Sequence, residues 1–297
     1  MRETFTGVGT ALVTPFVPDG ALDEAAVSRL AQRQIDAGVH FLVPCGTTGE
    51  TPTLSPVERR RVVELVVKQA KGRAMVLAGA GGYDTREVIH AVAEMQNAGA
   101  DGILSVTPYY NKPTPEGLYQ HYKAIADSTS LPIVVYNVPG RTGCNVDPAT
   151  IERLSTIPNI IGVKEASGNI TQMADICRRV PKNFLVLSGD DAITLPLMAL
   201  GGRGIISVAS NVAPAEMVQM VEAAERGDFA HARVWHEKLM PFMQVQFIES
   251  SPGPVKFAMA AMGLCGGTFR LPMVPPQAAS QAKIIDVLRA FGMPVVH

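Results

Sequence analysis

The stretch Ile160-Ile161-Gly162-Val163-Lys164-Glu165-Ala166-Ser167-Gly168 is a short apolar run that ends in a lysine, before a Gly-Asn pair opens a helical pattern. Ile160 to Lys164 reads as a buried strand. In a parallel barrel this lysine would stand at the C-terminal rim, where such enzymes carry their chemistry. A lysine there is either a fixed positive charge, paired with a carboxylate such as Glu165, or a nucleophile whose charged form a dry pocket disfavours.

Seven further apolar runs share this form: Gly9 to Val13, Phe41 to Pro44, Met75 to Ala78, Gly102 to Val106, Pro132 to Tyr136, Phe184 to Leu187 and Gly204 to Val208. Most do not alternate, as expected of parallel strands covered on both faces. The runs recur every 20 to 35 residues or so, roughly the length of a strand plus its crossover helix. Helix signals fill the gaps. Ser55-Pro56-Val57-Glu58 supplies a cap, a first-turn proline and a capping-box glutamate. Asp84-Thr85-Arg86-Glu87 repeats the device, and Gly38 and Gly99 are placed to end helices. Ile170, Met173, Cys177 and Val180 fall at helical spacing. Beyond about residue 211 the pattern is wholly helical, through Ala215 to Ala224, Phe229 to Val245, Val255 to Met262 and Ile284 to Phe291. The fold class is therefore α/β, a TIM (β/α)8 barrel with additional C-terminal helices. Residues 1–225 form the catalytic barrel and 226–297 a helical extension packed on it.

Composition narrows the function. Of 297 residues, 47% are hydrophobic and 18% charged, and the net charge is -1 with the signs interspersed. No basic track marks a nucleic-acid partner. No apolar run is long enough for a membrane span, and the N-terminus lacks a signal-peptide core. Cys45, Cys144, Cys177 and Cys265 form no CxxC pair and suit free thiols in a reducing cytoplasm. The scattered histidines lack metal-ligand spacing, and no dinucleotide fingerprint is present, so the expectation is no metal and no cofactor.

Chemistry should follow the strand ends. The second run leads into Cys45-Gly46-Thr47-Thr48-Gly49-Glu50, whose hydroxyls and N–H groups either receive a carboxylate or serve their own turn. The fourth leads into Thr107-Pro108-Tyr109-Tyr110-Asn111-Lys112-Pro113, where the tyrosines pack or act. The fifth gives Tyr136-Asn137-Val138-Pro139-Gly140-Arg141-Thr142-Gly143, a phenol at a strand end and an arginine suited to a carboxylate. The seventh ends in Ser188-Gly189-Asp190-Asp191, whose charge counts against a phosphorylated substrate. An amine, phenols and hydroxyls without metal ligands suit imine chemistry on a keto acid.

These motifs, in this order from about Gly7 to Pro275, resemble the dihydrodipicolinate synthase family of pyruvate-dependent class I aldolase-type barrels, which includes N-acetylneuraminate lyase. The resemblance implies a cofactor-free lyase that condenses pyruvate with aspartate 4-semialdehyde on the diaminopimelate route to lysine. Lys164 would form the Schiff base. Tyr136 would be the acid/base, linked through Thr48 to Tyr110, which in the family enters from the neighbouring subunit of a homodimer or homotetramer. Thr47 and Thr48 would hold the pyruvate carboxylate, Arg141 the carboxylate of the aldehyde, and Gly189 and Ile206 would line the pocket. Arg141 and Thr47 favour the synthases over lyases acting on sugar acids or hydroxy-oxo-acids, the nearest alternative; a barrel that has lost catalysis is the more distant one. Pro52, Pro56, Arg59 and Tyr83 depart from the polar contacts of lysine-inhibited members, although Glu87 and Tyr109 are kept, so lysine inhibition is expected to be weak or absent. Ser250-Ser251-Pro252-Gly253-Pro254-Val255-Lys256 varies a family motif and is expected to frame the pocket or start a helix.

Overall fold

The computed structural model describes residues 5–296. Eight parallel strands close into a barrel in chain order. They are β1 Gly7–Ala11, β2 Phe41–Val43, β3 Met75–Gly79 and β4 Gly102–Val106, followed by β5 Ile133–Asn137, β6 Ile160–Glu165, β7 Leu185–Ser188 and β8 Gly204–Ser207. Closure is made by β1 on β8, where Gly7 pairs with Gly204 and Gly9 with Ile206.

The barrel helices are α1 Glu24–Asp36, α2 Pro56–Ala70, α3 Thr85–Asn97, α4 Pro115–Asp127, α5 Pro139–Thr142, α6 Pro148–Leu154, α7 Ile170–Arg179, α8 Thr194–Ala199 and α9 Pro214–Glu225. Three more follow, α10 Phe229–Val245, α11 Gly253–Ala261 and α12 Ala278–Ala290. The expected start of α2 is realised as a full capping box: Ser55 accepts from the Glu58 N–H and Glu58 accepts from the Ser55 N–H. Asp84 caps α3 through the Arg86 N–H. Gly38 and Gly99, at φ +84° and +90°, terminate the turns before β2 and β4 in the left-handed region that glycine enters freely. On α7, Met173 and Ile176 are buried, whereas Ile170 is turned out to solvent.

Two apolar layers follow from strand alternation. Leu77, Leu104, Val134, Ile161, Leu187 and Ile206 fill the barrel interior, and Phe5 against Phe41 plugs its N-terminal end. Val8, Val76, Ile103, Val135, Val163 and Val186 face outward and join the helix layer in one larger core. That core continues into the C-terminal helices through Phe242, Val255, Met259, Ile284 and Leu288. The helix α10 packs on α8 and α9, and α12 packs on α10 and α11. Each large apolar side chain removed from water in this way contributes about 1.5–3 kcal/mol towards holding the C-terminal helices on the barrel.

One strand lies off the sequence reading. The first run was expected at Gly9 to Val13, and β1 ends at Ala11. Leu12 still donates its N–H to the Val43 carbonyl at 3.0 Å and Val13 is buried beyond it, so apolarity continues past the last bond to β2 and does not mark the strand's end.

Candidate active site

Strand register puts Lys164 beside Tyr136 on β5 and Leu187 on β7. The inward face of β6 thus delivers the amine into the C-terminal mouth, where Lys164 is 5% exposed. Its Nζ lies 4.0 Å from the centroid of the Tyr136 ring, over the electron-rich face. Glu165 points the opposite way. Its carboxylate accepts from Asn137 Nδ2 at 2.8 Å, the Ser167 N–H at 2.8 Å and Gln172 Nε2 at 3.4 Å. Burial pushes the Glu165 carboxyl above the usual range, and these donors oppose the shift. Pairing of Lys164 with Glu165 is therefore ruled out, and among the described residues no carboxylate lies within ion-pair distance of the amine.

A cavity of about 140 Å³ opens at the amine, lined by Thr47, Thr48, Tyr136, Arg141, Lys164 and Gly189, together with Val138, Ala166, Asp190, Val208, Phe247 and Ser251. The hydroxyls come from the tight turn Thr47–Gly49, which follows Gly46 in extended conformation. Gly79 on β3 lets that loop lie close, because a Cβ there would sit 1.9 Å from the Cys45 carbonyl oxygen. Gly189 has a similar role at the amine, since a Cβ would stand 3.1 Å from Lys164 Cε and 2.6 Å from Ala166 Cβ. Arg141 sits in the single-turn α5, and its Nη2 donates to the Ser251 carbonyl at 3.3 Å. Ser251 therefore frames the cavity and α11 starts at Gly253, so both readings of that segment hold.

Two anticipated residues stand apart. Ile206 is fully buried in the barrel interior and does not line the cavity. Tyr110 is 93% exposed and turned out of the barrel, at φ 68° in the left-handed region. Its neighbour Tyr109 packs edge-on against Tyr83 at 5.1 Å. A second cavity of about 320 Å³ adjoins the first and shares Thr47, Tyr136, Val138 and Arg141 with it; Pro52 and Tyr109 also line it. Pro56, Arg59, Tyr83, Glu87 and Tyr109 gather round a third, of about 290 Å³, between α2 and α3.

Phe247, Val208 and Ala166 were not anticipated. They are apolar residues without a chemical signature, brought to the rim by the fold alone. Asp191 is a repulsive charge in the sequence and has a more specific place in the fold. It is fully buried and accepts from Ser207 Oγ and from the N–H groups of Val208 and Ala209 at 3.1 and 3.2 Å. Burial raises its carboxyl above the ordinary range. The backbone amides after β8, a common phosphate cradle in barrels, are thus taken up by the protein's own carboxylate. Among the described residues no group of three His, Cys, Asp or Glu stands together as a metal site. No described helix is long and apolar enough to cross a membrane.

A closed (β/α)8 barrel with a buried lysine and a phenol at its C-terminal mouth defines a barrel lyase. The chain belongs to the dihydrodipicolinate synthetase family, whose model matches residues 4–291. It is 50% identical over 288 residues to 4-hydroxy-tetrahydrodipicolinate synthase of Koribacter versatilis, covering 97% of this chain and 96% of the relative. It is 51% identical over 290 residues to the enzyme of the same name from Nitratidesulfovibrio vulgaris, at 97% and 99% coverage. Among solved structures, dihydrodipicolinate synthase from Aquifex aeolicus superposes with a TM-score of 0.97 at 42% identity, covering 99% of this chain and 100% of that one. A monomeric dihydrodipicolinate synthase variant gives 0.97 at 42% identity, with 99% of each chain covered.

Proposed function

We propose that this protein catalyses the 4-hydroxy-tetrahydrodipicolinate synthase reaction, condensing pyruvate with L-aspartate 4-semialdehyde through an imine on Lys164. The observation that carries the reading is the buried Lys164 amine over the Tyr136 ring, in one cavity with Thr47, Thr48 and Arg141. The amine attacks the ketone carbon of pyruvate, and loss of water leaves the imine. Loss of a methyl proton gives an enamine, whose carbon forms the new bond to the aldehyde carbon. The amine of the semialdehyde then closes the ring and releases Lys164. Tyr136, whose ring lies against the amine, is the residue we assign to proton transfer at the imine. Thr47 and Thr48 suit the pyruvate carboxylate, and Arg141 suits the distal carboxylate of the aldehyde by its planar, paired donors.

Tyr110 is exposed and does not line its own cavity, which supports a homodimer or homotetramer in which it serves a neighbouring subunit. Four free cysteines suit the reducing cytoplasm.

The test is turnover of purified protein with both substrates, coupled to the next reductase. Turnover that is lost in Arg141→Ala supports the synthase. A pyruvate adduct trapped on Lys164 by borohydride without turnover of the semialdehyde would move the protein to a lyase for another aldehyde.

A further inference from the structure

Among the described ion pairs, Glu50 with Lys256 alone has both side chains wholly buried. It joins the turn after β2 to α11 in the C-terminal segment. Glu50 follows directly on Thr47–Gly49, and its N–H closes that turn on the Thr47 carbonyl at 3.1 Å. It does so at φ 53° and ψ 33°, a left-handed conformation that costs any residue with a Cβ. One carboxylate oxygen accepts from Lys256 Nζ at 2.5 Å and the other from the Arg270 N–H at 3.3 Å. The ammonium lies 4.1 Å from the Phe16 ring centroid and 5.0 Å from that of Phe269. Burial pulls the Lys256 amine down, and the bond to Glu50 opposes that shift. Neither residue lines the cavity at Lys164.

A buried ion pair of this kind is poor at adding stability, because desolvation offsets the attraction. What it does well is fix a position, since leaving either charge alone is costly. Here the position fixed is the end of the turn that presents Thr47 and Thr48. Building on the reading of Lys164 as the imine lysine, we propose that Glu50 and Lys256 are positioning residues for pyruvate. The pair clamps the Thr47–Gly49 turn from behind, so the C-terminal segment sets the geometry of the pyruvate carboxylate site as well as covering the barrel.

The double variant Glu50→Gln/Lys256→Met removes both charges together and leaves neither stranded. Arg270→Met cuts the neighbouring side-chain contacts to Glu58, Gly20 and Thr53, leaves the backbone N–H of residue 270 on Glu50, and serves as the control for a purely structural loss. The double variant should raise KM for pyruvate by about tenfold or more, the scale of effect expected from a slight misplacement of binding groups. KM for the aldehyde should stay unchanged, and the control should keep both values while melting lower. A folded double variant with the parental pyruvate KM overturns the proposal. If the double variant does not fold, Lys256→Arg keeps the charge but displaces the turn; an unchanged pyruvate KM there overturns it equally. Borohydride with pyruvate on the parent separates the two readings. No adduct at Lys164 ends the imine reading and this proposal with it, whereas an adduct with unchanged KM values ends this proposal alone.

Discussion

At the residue scale, Lys164 is legible because a charge that closes an apolar run has few ordinary reasons to be there. Its surroundings are not legible in the same way. Tyr136 meets it only because β5 and β6 pair in a register that places the two side by side. Phe247 reaches the same cavity from the C-terminal segment, and nothing in its own chemistry marks it. Gly189 is a sharper case, since the fold now gives a reason for the missing side chain. A methyl group there would press on Ala166 and on the Lys164 stem. Gly189→Ala should therefore lower turnover by about 100-fold through misplacement of the amine, while overpacking costs about 1–3 kcal/mol of stability. Borohydride trapping followed by mass measurement reads the first effect and thermal unfolding the second. Trapping at the parental rate would mean that the amine does not depend on this glycine.

At the element scale, local signals are legible in the sequence and distant ones are not. The capping box of α2 and the glycines at φ +84° and +90° depend on a few adjacent residues, and the chain spells them out. The end of β1 depends on where hydrogen bonding to β2 stops, which buried Leu12 and Val13 conceal. The tie between α2 and the C-terminal segment is equally hidden. Arg270 donates to both carboxylate oxygens of Glu58 and to the carbonyls of Gly20 and Thr53. The Arg270 hydrogen bond holds the Glu58 carboxyl down to about 2, from an ordinary 4.5. A lowered carboxyl stabilises the fold above its unfolded value and loses that contribution as pH falls through its folded value. The parent should thus exceed Arg270→Met by about 1.5–3 kcal/mol at neutral pH, the range for hydrogen bonds to charged groups. This gap should narrow between roughly pH 4.5 and 2, as unfolding titrations at stepped pH would show, leaving the part carried by the Gly20 and Thr53 carbonyls. An undiminished gap at the acid end would assign the whole loss to packing. Buried Glu165 and Asp191 carry the opposite sign, because their raised values favour the fold while protonated and withdraw that support as pH rises through their folded values. Beside α2, Arg59 and Pro56 face the cleft shared with Glu87 and Tyr109. The positive charge of Arg59 opposes the side-chain amine of lysine, so an excess of L-lysine should lower the steady-state rate weakly or not at all. Full inhibition at sub-millimolar lysine would refute this.

At the scale of the whole molecule, the placement of Tyr110 decides how many chains make one working site. A tyrosine 93% exposed, in the left-handed region at φ 68°, gains nothing from its own barrel. Exposed large aromatic rings are instead common where a partner will cover them. Beside it the 320 Å³ cavity opens next to Tyr136 and Arg141. If a symmetric dimer exchanges Tyr110 across its axis, each site takes its lysine from one chain and its outer phenol from the other. Tyr110→Phe and Lys164→Ala should then each be nearly inactive alone. In a mixed dimer, the subunit that keeps Lys164 receives Tyr110 from the partner that has lost its lysine, so one site of the two is whole. Random exchange at equal amounts makes about half of the dimers mixed, so about a quarter of the parental activity should return. Activity followed after subunit exchange, with mixed dimers quantified by native mass spectrometry, reads this directly. Recovery no greater than the mean of the two parents would confine the site to a single chain and leave Tyr110 as a surface residue.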